Sequence, residues 1–236
     1  MCWGVFQGGG RWVACSSLLA PKWLVWVFWS ICWFRVGVWG VTVRKESSMS
    51  SEIRIVRIDT RHGYFESSLS LLNSSFVSDE RREEEELRVL VDGGSIFSFN
   101  VVECGGERVG LITTWNFGKF IYVEHFAVEA SMRNRGVGCR VLGMLREMSG
   151  LPVLVEVEPE GSSVEAGRRI RFYQRAGFEA WTTPYIQPPY GRGKSAVPML
   201  LMANGIEETL ENSQIVKALL YKHVYKVKSV DFPHVF

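Results

Sequence analysis

The part of this chain best equipped for chemistry is a change from strand to helix between Phe126 and Leu145. Its middle reads Met132-Arg133-Asn134-Arg135-Gly136-Val137-Gly138. Backbone N–H groups at a helix start have no intrahelical partner and point outward, so they form a ready anion site. Gly136 and Gly138 let the backbone approach a ligand closely, because no Cβ intervenes. Arg133 and Arg135 add positive charge beside it, and a diphosphate would fit this loop. The residues exclude two familiar nucleotide loops. A loop ending in Gly-Lys-Ser would have to use Gly193-Lys194-Ser195, and Pro188 stands where its first glycine belongs. A dinucleotide fingerprint running on from Gly136 and Gly138 needs a third glycine at position 141, which is Val141.

Other chemistries have less to work with. His62, His125, His223 and His234 are scattered, with no HExxH and no His/Cys cluster, so no metal is expected. Neither GxSxG nor a triad arrangement is present. Cys139 begins the helix, but no histidine comes within reach in the sequence, and it reads as a packing residue.

The elements that must position the loop come from periodicity and turn residues. Three strands over 95–104, 108–115 and 120–128 are separated by Gly105-Gly106 and Asn116-Phe117-Gly118, an antiparallel meander. Alternation on the third puts Glu124 and Phe126 on one face and His125 on the other, as a core or surface histidine. A helix from Val137 carries Val141, Met144, Leu145 and Met148 on one side. Residues 151–158 form a strand with Val153, Val155 and Val157 buried and Glu156 and Glu158 opposite. A helix over 164–176 ends at Gly177. Strands near 178–185 and 197–202 flank a loop rich in Pro, Tyr and Gly, and an amphipathic helix over 207–225 closes the chain. Ahead of the meander come a strand over 51–59 and a helix over 64–76. A second helix, N-capped by Asp79, runs to Val91 and ends at Gly93-Gly94, its Glu83–Glu86 run a solvated face. The order β-α-α-β-β-β-α-β-α-β-β defines an α+β fold: a mixed, mostly antiparallel twisted sheet flanked by helices.

The 236 residues are 47% apolar and 22% charged, the composition of a globular protein. Five cysteines without a CxxC pair argue against a disulfide scaffold. The net charge of +2 is too small to argue for nucleic acid or an anionic membrane. Residues 1–48 differ from the rest. They hold seven of the nine Trp and three of the five Cys, with five basic residues and one acidic, leaving 22 basic and 24 acidic groups after them. The uncharged apolar run from Trp23 to Phe34 has 12 residues, against about 20 for a membrane span. Extending it to Val43 places Arg35 inside, at roughly 2.5–3.5 kcal/mol. As a signal peptide it lacks early positive charge and an A-x-A cleavage site. The leading expectation is a start-site artefact or dispensable extension, with a membrane anchor or a structured extension as alternatives. The expected organisation is a leader (1–48), one domain (49–205) and a C-terminal helix (206–236) packing on it.

Two motifs taken together resemble the GCN5-related N-acetyltransferase (GNAT) superfamily. Arg133-x-x-Gly136-x-Gly138 is similar to its coenzyme A loop, preceded by a strand ending Phe126-Ala127-Val128. Arg171-Phe172-Tyr173-Gln174-Arg175-Ala176-Gly177-Phe178 is similar to its second signature, a helix ending in aromatic-Tyr…Gly-Phe. The resemblance spans about Glu52 to Ala203. The closing helix and the Tyr185–Tyr190 loop look like a bacterial branch of the superfamily.

The resemblance implies an acetyl-CoA-dependent N-acetyltransferase acting on a primary amine by direct attack on the thioester. It implies that Arg133, Asn134, Arg135, Gly136, Val137 and Gly138 hold the pyrophosphate, and that the backbone of Phe126, Ala127 and Val128 pairs with the pantetheine arm. Tyr173 would protonate the leaving thiolate. A base is needed for the amine, and Glu124 and Glu156 both stand as candidates, with salt bridges to Arg133 or Arg171 as their structural alternative. Tyr190 is a candidate acceptor contact. The acceptor would be a small-molecule or peptide amine, with no metal and no nucleic acid, on a cytoplasmic monomer or homodimer. A non-catalytic acyl-CoA sensor on the same fold, and a membrane-associated protein carrying such a domain, are the rivals.

Overall fold

The computed structural model of the protein describes residues 52–94 and 96–227; the leader expected over 1–48 lies outside them. Along the chain run β1 (Ile53–Arg57), α1 (Phe65–Ser75), α2 (Glu84–Gly93), β2 (Phe97–Cys104), β3 (Glu107–Asn116) and β4 (Ile121–Val128). Next come α3 (Val137–Ser149), β5 (Val153–Val157), α4 (Val164–Arg175), β6 (Glu179–Ala180), β7 (Tyr185–Gln187), β8 (Val197–Asn204) and α5 (Leu210–Leu219), which continues as a π turn (Leu220–Val224). The sheet order is β1-β2-β3-β4-β5-β8-β6, with β7 also on β8. Among the described residues only β4 and β5 are parallel; the other neighbours are antiparallel. This is the expected α+β class.

Both sheet faces are covered, so β5 reads as a nearly unbroken apolar strand. One face packs under α1, α2 and α5 through Phe65, Leu72, Leu87, Phe99, Leu111, Leu154, Val216 and Leu220. The other packs under α3 and α4 through Val123, Val141, Leu142, Val155 and Ile170.

Two irregularities shape the region around β4. In the β3–β4 ladder Thr113 pairs with His125 but Thr114 pairs with Val123, so Glu124 is an extra residue without an opposite number. Such a β-bulge reverses which face successive side chains take. Val123 and Phe126 therefore pack on the α3/α4 side. Glu124 and His125 both turn to the other side, where Trp115 and Phe76 meet them. The alternation expected from sequence, with Glu124 beside Phe126 and His125 opposite, is thereby corrected. Second, β4 and β5 pair over three rungs only, from Ile121↔Val153 to Val123↔Val155. Beyond them β4 runs on to Val128 without β5 beside it, and the sheet opens.

Two other expectations change. Asp79 lies in a single 3-10 turn, Ser78–Glu80, and α2 starts only at Glu84. The chain between is extended because Arg82, 3% exposed, is drawn into the core, where it pairs with Glu124. The strand expected over 178–185 is broken into β6 and β7. The amides of Thr182 and Thr183 donate to the Glu208 carboxylate at 2.8 and 2.6 Å, which takes them out of any ladder.

The open end of β4 is held tightly on its other side. Gly110 of β3 pairs with Val128, and a Cβ there would come 2.6 Å from the Ala127 carbonyl oxygen. Gly110→Val is expected to lower stability by about 1–3 kcal/mol, as overpacking does, measured by chemical denaturation; an unchanged midpoint would show that β4 has room to move.

Candidate active site

The opening between β4 and β5 is the mouth of a cleft of ≈ 940 Å³. It runs from the glycine loop to a buried group of carboxylates and tyrosines. Of the residues expected to bind the coenzyme, Phe126, Ala127, Val128, Arg133, Asn134, Gly136, Val137 and Gly138 line it, and Arg135 does not.

The loop is built by local backbone chemistry. After β4 comes a 3-10 turn, Ala130–Met132, then an extended Arg133 whose Nε donates to the Val128 carbonyl at 3.0 Å. Asn134 (φ 61°) and Gly136 (φ 78°) take left-handed conformations, which asparagine and glycine tolerate best. Gly136 is the residue before α3. No side chain caps that helix and no acidic residue lies in its first turn, so its leading amides remain available to an anion. Gly138, which also lines the cleft, has a second reason to be glycine. A Cβ there would sit 2.9 Å from the Phe172 ring, so its smallness lets α3 and α4 approach.

Tyr173 lines the cleft from α4, its ring set between Phe172 (5.0 Å) and Phe178 (5.4 Å). Burial raises its hydroxyl from the ordinary tyrosine value of 10 to about 12, with Arg169 drawing it back slightly.

At the far end Glu124 is wholly occupied. Its Oε1 accepts from Arg82 at 2.8 Å and from Tyr190 at 2.9 Å, and its Oε2 from the Trp115 indole at 2.7 Å. Burial by itself would raise this carboxyl; the Arg82 charge, with the hydrogen bonds from Trp115 and Tyr190, leaves it lowered and ionised. Its cationic partner is thus Arg82, where the sequence offered Arg133 or Arg171. Arg82 also lies over the Trp115 and Tyr190 rings, at 5.4 and 5.0 Å. His125 is buried, its Nε2 donating to the Glu80 carbonyl at 3.0 Å, which leaves Nδ1 to accept from the Thr113 hydroxyl at 3.2 Å. Burial holds it below its usual value and neutral.

Glu156 stands in an unlike setting. Its Oε1 accepts from the Tyr185 hydroxyl at 2.6 Å and its Oε2 from the Tyr225 hydroxyl at 2.7 Å. Burial lifts it to about 7, against the pull of hydrogen bonds from Tyr185, Tyr225 and Tyr122. Neighbouring Glu158 is not part of this group; it pairs with Arg169 of α4. Two carboxylates of one cleft are therefore pushed apart in ionisation, Glu124 kept charged and Glu156 held near neutrality. Tyr190 lines the same space. Arg82, Trp115, Tyr122, Tyr185 and Tyr225 escaped the sequence reading. The tyrosines of 185–190 and 221–225 are the visible signal for Tyr185 and Tyr225, and the sequence offers none for Arg82, Trp115 and Tyr122. Among the described residues no cluster could hold a metal ion, and no helix is long and apolar enough to cross a membrane.

Residues 94–180 match the protein family described as acetyltransferase (GNAT) domain. A solved structure from Bacteroides thetaiotaomicron, described as an acetyltransferase of the GNAT family, is 38% identical. The match covers 74% of this chain and 99% of that one, with a TM-score of 0.70. The chain belongs to the GNAT acetyltransferase family. A Bacillus subtilis protein described as the acetyltransferase YjbC is 34% identical over 64 residues, 27% of this chain; the match spans a third of that protein's length. An acetyltransferase from Salmonella typhimurium, described as modifying the N-terminal serine of ribosomal protein L7/L12, shares the fold at 15% identity. Its TM-score is 0.51, with 67% of this chain and 96% of that one covered.

Removing one partner of a buried ion pair leaves the other charge uncompensated. Arg82→Met is expected to destabilise the protein by about 3–5 kcal/mol, and adding Glu124→Gln should restore most of that loss. Urea denaturation of the two single variants and the double variant measures it. An additive double variant would mean that the pair is not coupled.

Proposed function

We propose that this protein is an acetyl-CoA-dependent N-acetyltransferase that transfers acetyl to a primary amine of a small molecule or peptide. The observation that carries the reading is one cleft with an uncapped helix N-terminus at one end and, at the other, a buried carboxyl, Glu156, that is bonded to tyrosine hydroxyls and to no cation. The residues present fit the coenzyme. The α3 amides and the left-handed Asn134–Gly136 turn suit a pyrophosphate. The β4 edge beyond Val123, where β5 no longer pairs, suits an extended amide-bearing arm as an added strand.

Bound acetyl-CoA supplies an activated acetyl group: a bond forms from the amine nitrogen to the carbonyl carbon, and the carbon–sulfur bond breaks. Glu156 takes the proton the amine must lose, since a base poised near the working pH combines availability with driving force. Glu124 has the weaker case as base, because the Arg82 charge bonded to it lowers its carboxyl and makes it a poorer proton acceptor. Tyr173 keeps its proton through the neutral range and donates it to the departing sulfur. Backbone N–H groups of Phe126 to Val128 orient the thioester carbonyl. Tyr190, held by Glu124 at 2.9 Å, walls the acceptor side. The coenzyme's own compartment puts the reaction in the cytoplasm.

Calorimetric titration of acetyl-CoA into the full chain is expected to give micromolar binding. Gly136→Glu should abolish it, by straining a left-handed position and setting a negative charge against phosphate; retained binding would remove the loop from the site. Tyr173→Phe should lower turnover at least tenfold in a thiol-release assay against an amine panel, with coenzyme affinity unchanged. Unaltered turnover would take away its acid role.

A further inference from the structure

Glu156 is held by residues that come from outside the matched 94–180 segment. Tyr185 belongs to β7, and Tyr225 stands directly after the π turn that ends the α5 helix. That turn is a change of hydrogen bonding: the Tyr225 amide donates to the Leu220 carbonyl at 3.1 Å, five residues back. One extra residue in the turn re-aims the side chains after it, and such turns recur at functional sites. Here the residue re-aimed is Tyr225, whose hydroxyl reaches Glu156 at 2.7 Å. The turn is also pinned. Arg82, already paired with Glu124, donates to the Val224 carbonyl at 2.7 Å, and the Tyr190 and Tyr225 rings meet at 5.0 Å.

We propose that Tyr225 and Tyr185 are positioning residues for Glu156, so that the C-terminal helix completes the active site and does more than cover the sheet. The inference rests on the reading of Glu156 as base only for its consequence in turnover; the tuning itself is a property of the folded protein. Two hydroxyls, one on each carboxylate oxygen, fix the plane of the group and stabilise its charged form. The groups facing Glu156 are Tyr122 and Glu124 from β4, Tyr185 from β7, Tyr190 from the loop, and Tyr221 and Tyr225 from the closing turn. Leu201 of β8 pairs opposite it and brings no charge. Arg82, the cation next to this group, is committed to Glu124 and Val224. Tyr185 and Tyr225 thus each donate to one carboxylate oxygen, at 2.6 and 2.7 Å, and the loss of either leaves Glu156 buried with fewer partners.

The test is a carbon NMR titration of the full chain carrying 13C at glutamate carboxyls, with the Glu156 signal assigned by its loss in Glu156→Gln. In the unaltered protein this signal should titrate near 7. In Tyr225→Phe the midpoint should rise by about one pH unit, because losing a hydrogen bond to the charged form disfavours it. Tyr185→Phe provides a second, independently placed variant with the same expected rise. Retained amide dispersion confirms that each is folded, and a purely packing role would not move this midpoint. An unshifted midpoint in both folded variants overturns the inference, whatever the turnover. A shifted midpoint supports it even if Glu156→Gln turns amines over at the full rate, an outcome that would remove the base reading alone.

Discussion

Pairing between β4 and β5 stops at Val123 and Val155, and the site exists because of that stop. Parallel neighbours held together along their full length would leave no edge of β4 exposed and no space beneath it. The glycine loop and the N-terminus of α3 lie directly beyond the parted ends, and Glu156 lies one residue past the last rung. The strands part where β4 also carries its bulge at Glu124. The same few residues thus open the sheet and turn a carboxylate out of line with the strand.

That carboxylate needs compensation, since an ionised group without a partner inside a protein is strongly unfavourable. Arg82 supplies it from 42 residues away in the chain. Its other bond, to the Val224 carbonyl, ties the closing helix to the sheet. A buried pair of this kind contributes less to net stability than to uniqueness, because desolvation offsets much of the attraction. Here it fixes three segments at one point: the extended 81–83 stretch, β4, and the π turn. Interrupting the second helix is what brings Arg82 inward, and the helix start moves from Asp79 to Glu84 as a result.

Glu156 shows the complementary solution. With hydroxyls as its direct partners and no cation bonded to it, its charge is only partly compensated, and its ionisation falls near neutrality. Two glutamates one strand apart therefore differ in behaviour by reason of their partners alone. Polarity runs along the cleft as well, from the basic loop at Arg133 to the carboxyl and tyrosine end. That direction suits a ligand with an anionic tail and a reacting head.

Elements that rest on local rules were legible in the sequence. Gly136 was placed by its position at a helix start where no Cβ intervenes, Gly177 by its position after the last turn of α4, the meander by its two glycine turns, and α3 by its apolar spacing. These depend on residues within a few positions of one another, so periodicity and turn chemistry suffice. Tertiary structure decided the rest. Whether Glu124 faces Phe126 depends on a bulge, which comes from registry with β3 and leaves no mark on alternation. Which glutamate is charged depends on Arg82, Tyr185 and Tyr225, and the last of these lies 69 residues from Glu156. A side chain's ionisation is set by what surrounds it in space, and sequence spacing carries no information about partners that distant.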